Sequence, residues 1–373
     1  MKRKSSKLMA LALTLAAVCA MVTISASAAM TYTPIGGSTT ITKNLVVDSD
    51  ANIPDVTFTY TITRGTAVAA TSTTMEILSS AKTGTIGNAV YTNADTASAI
   101  AGLPTDADPA HPTEGKKYAQ KSIAVTFDTD TFTKPGVYRF VIHEADGGKP
   151  GVTYDTDPRY LGVFVVADSD TNALSVDSYL LRGSETTIGT DGNYTSDPGV
   201  KSPGFTNSIA QFDFEFSKAI TGNQGDKNQR FTFTLSISNA IPGTYPVTAN
   251  DVTGNPTAIT VANDGTYSGT YDLTDGSTLK VLGINSTAVC TVSEDNQDYT
   301  ATHTVNSGSS VSGNNSGAIQ LTDANHSVAF TNTRNGVIPT GVLLTVAPFT
   351  IGLFLFGAAG VYFVARKRQF DED

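Results

Sequence analysis

Short stretches in which apolar and polar residues alternate recur along most of the chain, and clusters of Gly, Pro, Asn and Asp separate them. Alternation with a period of two is typical of strands that bury one face of a sheet. The clearest examples are residues 56–62, 122–127, 161–166 and 231–237. No segment between the two ends of the chain shows sustained helical periodicity. The pattern therefore predicts an all-β protein built of antiparallel sandwiches.

A lysine, a glutamate and an asparagine, all costly to bury, lie on the apolar faces of predicted strands. This set of three occurs twice in the chain. The first trio is Lys43, Glu144 and Asn207, and the second trio is Lys218, Glu294 and Asn332. In the strand of Lys218, the alternating neighbours on the same face are Phe212, Phe214, Phe216 and Ile220. An isolated buried ammonium or carboxylate is very unfavourable. Because the two trios follow the same chain order, we predict that the members of each trio meet and react.

Each of these residues taken alone has a simpler explanation, in which its side chain is solvated and does not react. A lysine beside apolar residues usually extends its charged end to the surface. A glutamate at the end of a strand is usually solvated, and an asparagine after Phe-Thr often begins a turn. The agreement of six positions in two ordered trios favours the joint interpretation.

The chemistry expected of a buried trio is a cross-link. Desolvation lowers the pKa of a lysine and raises that of a glutamate, although their mutual attraction opposes both shifts. A neutral lysine is a nucleophile, and a protonated glutamate would polarise the asparagine carbonyl and carry protons. Attack on the carboxamide carbon would expel ammonia and leave an amide. Glu144 and Glu294 would assist without a cofactor. Each trio would react once, so the chain is not predicted to be an enzyme.

These cross-links would close long loops of the chain. Lys43 and Asn207 are 164 positions apart, and Lys218 and Asn332 are 114 positions apart. In the chain-entropy model, cross-links over loops of this size restrict the unfolded state by about 4–5 kcal/mol. Each link would also join the first strand of its domain to the last, where tension would enter and leave.

Both ends of the chain predict export. Four basic residues precede an apolar stretch near the N-terminus, and Ala26-Ser27-Ala28 fits a cleavage site, so residues 1–28 are predicted to be a signal peptide. An uncleaved anchor is the alternative. Residues 342–365 carry no charge, are followed by a basic cluster and are long enough to span a bilayer as a transmembrane helix. A plain membrane anchor is the simplest interpretation of that helix.

Charge and length limit the function class and the number of domains of the 312 residues between the two ends. Without the seven basic and three acidic residues of the two ends, the totals of 24 and 34 fall to 17 and 31, a net charge near −14. This charge argues against nucleic-acid binding. The length suits two domains, predicted at 29–208 and 209–334. Residues 81–120 and 184–203 are predicted to be long surface loops or insertions of the first domain that could contain a short helix.

Cysteine and histidine usage points away from disulfides and metals. Cys290 is the one cysteine outside the predicted signal peptide, so no internal disulfide is expected. Its strand position predicts a small core hydrophobe, with a reactive thiol as the alternative. The four histidines are scattered without the spacing of a zinc site, so no metal site is predicted.

The segment before the predicted transmembrane helix resembles a cell-wall sorting signal of Gram-positive bacteria. Its core is Ile338-Pro339-Thr340-Gly341, in which Pro-Thr-Gly is contiguous as in the variant signals read by pilus-specific sortases. The resemblance implies that a sortase cuts between Thr340 and Gly341 and keeps Thr340 as an acyl-enzyme. Residues 335–373 would then be the sorting signal, and the chain would be held in the membrane only before sorting.

The residues around both trios resemble the isopeptide-forming domain of streptococcal backbone pilins, the T-antigen type. The matching stretches are Thr42-Lys43, Tyr138-x-Phe140-x-Ile142-x-Glu144, Phe205-Thr206-Asn207, Phe216-Ser217-Lys218, Val292-Ser293-Glu294 and Phe330-Thr331-Asn332. The resemblance implies two immunoglobulin-like, Cna B-type-like β-sandwich domains, each with a spontaneous Lys–Asn isopeptide bond assisted by glutamate. It further implies a structural shaft subunit of a pilus on the bacterial wall. The implied partners are a pilus-class sortase, copies of the same chain in a covalent polymer, ancillary pilins and peptidoglycan.

In such pili a sortase joins the threonine of one subunit to an exposed lysine of the next, and this lysine lies shortly before the isopeptide asparagine of the first domain. Lys201 lies six residues before Asn207 among turn-forming residues, so it is nominated as the linkage lysine. No Tyr-Pro-Lys-Asn motif is present, and the competing lysines are Lys116, Lys117, Lys134 and Lys149.

Two other functions compete with that of a pilus shaft subunit. The alternative is an ancillary pilin or adhesin that is anchored singly to peptidoglycan and binds a host ligand. A wall-anchored enzyme is disfavoured, because the sequence contains no nucleophile elbow, phosphate loop or paired carboxylates.

Overall fold

The computed structural model describes residues 30–104, 114–189 and 201–337 of the 373-residue chain. These residues form 23 strands and a single turn of 3-10 helix at Ile100–Gly102, so the predicted all-β class is confirmed. Within the described ranges, no helix has the length and apolar character needed to cross a membrane. The predicted signal peptide, sorting motif and transmembrane helix lie outside the described residues.

The first unit, β1 to β13, has a core enclosed by two sheets. Its strands are β1 (Ile35–Asp48), β2 (Val56–Phe58), β3 (Tyr60–Arg64), β4 (Ile77–Leu78), β5 (Thr85–Ile86), β6 (Ala89–Tyr91), β7 (Ala97–Ala99), β8 (Lys116–Phe132), β9 (Gly136–Glu144), β10 (Val152–Thr153), β11 (Arg159–Ala167), β12 (Leu174–Arg182) and β13 (Gly204–Ile209). One sheet has the order β10-β13-β1-β8-β5 with β7 beside β8, and the other has β12-β11-β9-β3 with β4 beside β9. The small pair β2-β6 forms a separate two-stranded sheet, and its buried residues Phe58 and Tyr91 pack into the same core. Leu45 of the first sheet and Phe140 of the second are fully buried in the same core.

The second unit, β14 to β23, is one connected sheet of ten strands. Its strands are β14 (Gln211–Thr221), β15 (Phe231–Ser238), β16 (Gly243–Val252), β17 (Ala258–Val261), β18 (Tyr267–Asn285), β19 (Val289–Glu294), β20 (Thr300–Val305), β21 (Val311–Ser312), β22 (Ile319–Gln320) and β23 (His326–Thr333). The first half of β18 pairs with β15 and its second half pairs with β14 and β16. Because β18 pairs with different strands along its length, it joins the two halves of the sheet. The sheet packs on a core rich in phenylalanine.

The first and last strands of each unit are parallel neighbours with the same register. In the first unit β1 pairs with β13, and Asn207 lies opposite Leu45. In the second unit β14 pairs with β23, and Asn332 lies opposite Ile220. In both units the asparagine is thus opposite the residue two positions after the lysine. Because side chains two positions apart share a face of a strand, lysine and asparagine lie on the same side of the sheet.

The two units meet at a close joint. A single residue, Ala210, separates β13 from β14. The Gln211 side chain accepts a hydrogen bond from the Asp48 backbone N–H (2.9 Å) and donates one to the Gly283 carbonyl (2.7 Å). Ile241, which belongs to the second unit, is buried in the core of the first. These contacts tie the units together through both backbone and side chains.

The structure differs from the sequence expectation in three places. Residues 56–62 are not one strand, because the chain breaks at Thr59, and β2 and β3 pair in different sheets. Residues 81–120 contain the short helical element that was expected, at Ile100–Gly102, but they are not only a surface loop: Tyr91 is fully buried, and β8 begins at Lys116 to match the whole length of β1. Phe212 is only half-buried, because the ladder between β14 and β18 has a bulge between Phe212 and Phe214.

Candidate functional site

The structure brings the three members of the first trio into direct contact. The Lys43 ammonium lies 2.5 Å from Oε2 of Glu144. The Asn207 carboxamide nitrogen donates a hydrogen bond to the other oxygen, Oε1, of the same carboxylate. The side chains of Lys43 and Glu144 have no solvent exposure, and Asn207 is equally buried. Glu144 therefore bridges the amine and the carboxamide.

The surroundings of the first trio are mostly aromatic. The Lys43 nitrogen lies 4.5 Å from the centre of the Phe58 ring, and the Tyr91 hydroxyl donates to the Lys43 carbonyl oxygen (2.7 Å). Burial lowers the pKa of Lys43 to about 8, against the opposing attraction of Glu144. Burial likewise raises the pKa of Glu144 above its usual range, although Lys43 opposes the shift. Desolvation thus moves both groups toward their neutral forms.

The second trio makes the same two contacts, but through a single glutamate oxygen. The Lys218 ammonium forms an ion pair with Oε1 of Glu294, and Nδ2 of Asn332 donates to the same oxygen at 2.8 Å. The Lys218 nitrogen lies 4.2 Å from the centre of the Phe231 ring. Burial lowers the pKa of Lys218 to about 8 and raises that of Glu294, while their attraction opposes both shifts. The arrangement can pass a proton from amine to carboxylate to carboxamide nitrogen within one buried cluster.

One contact of the first trio involves residues that the sequence pattern did not single out. The backbone N–H of Asp155 donates to Oδ1 of Asn207 at 2.8 Å. The Asp155 carboxylate is itself held by the Arg159 guanidinium at 2.5 Å. Asp155 lies in the turn between β10 and β11, and Arg159 is the first residue of β11, so strand periodicity distinguishes neither from an ordinary surface residue. The sequence signal was an acid and a base four positions apart. Sequence alone cannot show whether such a pair is buried or lies on the surface.

The second trio lacks such a contact. Within the part of the chain that the structure describes, Oδ1 of Asn332 and Oε2 of Glu294 are buried and have no hydrogen-bond partner. Strand β20 runs antiparallel beside β23 and places Ala301 opposite Asn332 and Thr300 opposite Thr333. Since β20 continues in the ladder at this level, no turn approaches the carboxamide as the Asp155 turn does in the first unit.

The nominated linkage lysine lies on the surface. Lys201 is exposed and pairs with Arg182 in a single antiparallel bridge just before β13. Among its competitors, Lys116 forms an ion pair with Asp48, and Lys134 lies 3.5 Å from Glu76. Lys149 is exposed and Lys117 is half-buried. The sorting residues Ile338, Pro339, Thr340 and Gly341 lie outside the described residues.

Cys290 is packed as a core residue. It is fully buried in the second core, and burial alone raises the pKa of its thiol to about 12. A thiol with so high a pKa is almost fully protonated at neutral pH and is therefore a poor nucleophile.

Known proteins resemble the chain over both units. Residues 39–209 match the family described as Spy0128-like isopeptide containing domain, and residues 213–334 match a domain family of unknown function. A protein of Streptococcus pyogenes serotype M1 named "Pilin" is 28% identical over 348 residues, which cover 89% of this chain and 91% of that protein. The chain is therefore similar to isopeptide-containing pilins, which are structural subunits and not enzymes.

A solved structure shares the fold of the chain. The crystal structure of the major pilin from Streptococcus pyogenes superposes with a TM-score of 0.50 and 22% sequence identity. The match covers 81% of this chain and 99% of that structure. At this identity the likeness bears on the fold alone, and it agrees with the all-β fold of the two units described above.

Proposed function

We propose that the chain is the repeating shaft subunit of a covalent pilus on the surface of a Gram-positive bacterium. The observation that carries this proposal is the pair of buried Lys–Glu–Asn trios, each of which links the first and last strands of its unit. The similarity of the chain to isopeptide-containing pilins supports it. A subunit that bears tension along a fibre benefits from a covalent bond between the strands where force enters and leaves.

In this proposal the two units are tandem immunoglobulin-like, Cna B-type-like sandwiches within the boundaries 29–208 and 209–334. Residues 1–28 are a signal peptide that directs export. Residues 335–373 hold the sorting motif, a transmembrane helix and a basic tail, which retain the chain in the membrane until sorting. The mature subunit then resides in the cell wall and in the pilus that extends from it.

The proposed reaction in each trio forms an isopeptide bond. Glu144 or Glu294 accepts a proton from the lysine ammonium, and the neutral amine attacks Cγ of Asn207 or Asn332. The carbonyl electron pair moves to Oδ1, and the protonated glutamate delivers a proton to Nδ2 while the carboxylate regains one from the attacking nitrogen. The bond from Cγ to Nδ2 breaks and ammonia leaves. The product is a Lys43–Asn207 or Lys218–Asn332 amide, and no other reactant is consumed.

Subunits are proposed to join through a second kind of amide. A pilus-class sortase cuts after Thr340 and transfers the Thr340 carbonyl to Lys201 of the next copy. Exposure of Lys201 on the surface supports this role, since the acceptor amine has to reach the acyl-enzyme. Ancillary pilins and peptidoglycan would be further acceptors at the ends of the polymer.

The internal bonds are tested by intact mass of the exported chain, residues 29–340. We expect the mass to fall by two ammonia molecules below that calculated from sequence. Glu144→Ala and Glu294→Ala should each restore the mass of one ammonia, because the remaining glutamate serves only its own trio. A mass equal to the sequence value for the unaltered chain would contradict the proposal.

Shaft assembly is tested on wall extracts of the native bacterium. We expect a ladder of multimers that survives heat and detergent, and its loss in Lys201→Ala. Lys149→Ala is the matched control, because Lys149 is also exposed in the first unit. A wall-linked monomer without a ladder in the unaltered strain would favour an ancillary pilin or adhesin instead.

A further inference from the structure

The two trios differ in how the reacting carbonyl oxygen is held. In the first unit the Asp155 N–H lies 2.8 Å from Oδ1 of Asn207, whereas in the described part of the second unit no donor reaches Oδ1 of Asn332. A backbone N–H can only donate a hydrogen bond, so it fixes the Asn207 oxygen toward Asp155. The carboxamide nitrogen must then face Glu144, as it does. The leaving nitrogen is thus directed at the group that would protonate it.

The turn that carries this N–H is held in place by charge. Oδ2 of Asp155 accepts hydrogen bonds from the Thr206 backbone N–H (3.1 Å) and from Nη2 of Arg159 (2.5 Å). Nε of Arg159 donates to the Gly204 carbonyl (2.8 Å) and to the Ser202 hydroxyl (2.9 Å). The turn is therefore fastened to the start of β13, directly before the residue that reacts.

We infer that the Asp155 N–H acts as an oxyanion donor for the attack on Asn207 and that the Asp155–Arg159 ion pair positions it. This inference rests on the proposed isopeptide reaction. As Nζ of Lys43 bonds to Cγ, the carbonyl electron pair moves to Oδ1, and the N–H stabilises the negative charge that develops there. The charge returns to re-form the carbonyl when ammonia leaves. Asp155 thus contributes a catalytic backbone group, and Arg159 is a positioning residue.

The rate of each bond can be followed separately in one chain. Full-length protein is pulse-labelled in cell-free translation and sampled over time, and digested samples are analysed by mass spectrometry for the Lys43–Asn207 and Lys218–Asn332 linked peptides. Asp155→Ala and Arg159→Gln should each slow the first linkage by about tenfold, as expected when an oxyanion donor is loosened but not removed. The second linkage, which has no such turn, should form at the unaltered rate and serves as the internal control.

Asp157→Ala is the matched control variant. Asp157 lies in the same turn and is exposed, and its backbone carbonyl, not its carboxylate, accepts the hydrogen bond from Arg159. We expect Asp157→Ala to leave the first linkage at its normal rate. Arg159→Lys, which keeps the charge, should recover part of the rate lost in Arg159→Gln.

Two further measurements separate the donor from effects of charge and of folding. Asp155 raises and Arg159 lowers the pKa of Lys43, so a purely electrostatic effect would shift the pH profile of the first linkage in opposite directions in the two variants. The inference requires both variants to be slower across the profile. Asp155→Pro removes the N–H itself and should be slower than Asp155→Ala, by on the order of 10- to 100-fold.

Unaltered rates of the first linkage in Asp155→Ala and Arg159→Gln would overturn the inference, and so would equal slowing of both linkages. Absence of both linkages from the unaltered chain would instead refute the proposed function. The two failures are therefore distinguishable in the same experiment.

Discussion

At the scale of single residues, burial is the physical basis of the reaction proposed for the two trios. An ion pair removed from water loses solvation that its mutual attraction recovers only in part. Lys43 and Glu144, like Lys218 and Glu294, have side chains without solvent exposure. The proposed amide removes the ammonium and leaves the glutamate protonated, so that neither charge remains buried. The cost of burying the pair is thus the driving force for the step that eliminates it.

The rate of bond formation should follow a bell-shaped dependence on pH. The reactive state requires one proton on the pair, delivered from lysine to glutamate. At pH below the raised pKa of Glu294, both groups are protonated and the amine is blocked. At pH above the Lys218 pKa of about 8, the pair loses this proton and glutamate cannot protonate the leaving nitrogen. Pulse-labelled chains transferred to buffers from acid to alkaline pH would reveal this profile, and a rate that rises steadily with pH would contradict it.

Loss of the second cross-link should destabilise the second unit. Lys218→Met removes the nucleophile and keeps an apolar stem of similar length among the phenylalanines. Because the link closes a loop of 114 positions, we expect the free energy of unfolding to fall by about 4–5 kcal/mol. Denaturant midpoints of the second unit provide the measurement. Lys227→Met is the control, since Lys227 is largely exposed and its replacement should cost less than about 0.5 kcal/mol.

At the scale of elements, the alternating pattern predicts which residues point inward but not which strands become neighbours. Burial of Lys43, Glu144 and Asn207 follows from a period of two, because each shares a face with core residues. The parallel pairing of β1 with β13 joins segments far apart in sequence and depends on the packing of the whole unit. The same limit explains the break at Thr59. The alternating pattern runs through residues 56–62 without interruption and does not show where the chain passes from one sheet to another.

The turn residues show a second limit of the sequence pattern. Asp155 and Arg159 are charged and follow the short strand β10, so their sequence context is that of an ordinary surface turn. Their burial arises only when β13 comes to lie beside β10. The contact from Asp155 to Asn207 is therefore a product of tertiary structure, and local periodicity does not encode it.

The start of β13 depends on a glycine. Gly204 has a φ of +127°, and a Cβ at this position would lie 1.8 Å from the Thr42 carbonyl oxygen. Gly204→Ala should therefore separate β13 from β1 at the first pair of their ladder. We expect it to lower the free energy of unfolding of the first unit by about 1–3 kcal/mol. It should also slow the Lys43–Asn207 linkage, because Asn207 lies three residues further along the strand.

Thermal unfolding and peptide mass spectrometry of the first unit would measure both effects of Gly204→Ala. Gly183→Ala is the matched control, because no heavy atom of the described residues, other than those of Gly183 and its two chain neighbours, lies within 4 Å of the position its Cβ would take. Normal stability and a normal linkage rate in Gly204→Ala would show that the β1–β13 pairing tolerates a wider separation.

At the scale of the whole molecule, the joint between the units makes each depend on the other. Asn52 of the first unit donates to the Thr244 carbonyl (2.9 Å), and the Asp55 N–H donates to the Pro242 carbonyl (2.9 Å). Ile241 directly precedes Pro242 and inserts into the core of the first unit. A load applied along the chain would thus pass through a packed joint as well as through the single residue Ala210.

Ile241 therefore gives a direct test of this dependence. Ile241 is 1% exposed, and truncation to alanine leaves a cavity in the core of the first unit. We expect Ile241→Ala to lower the stability of the first unit by about 2–5 kcal/mol, although the residue belongs to the chain of the second. Ile259→Ala is the matched control: Ile259 is buried in the second core, so the same truncation should weaken the second unit and leave the first unchanged. Hydrogen exchange of the β1 and β14 amides reports each unit separately, and unchanged protection of β1 in Ile241→Ala would mean that the joint carries no stability.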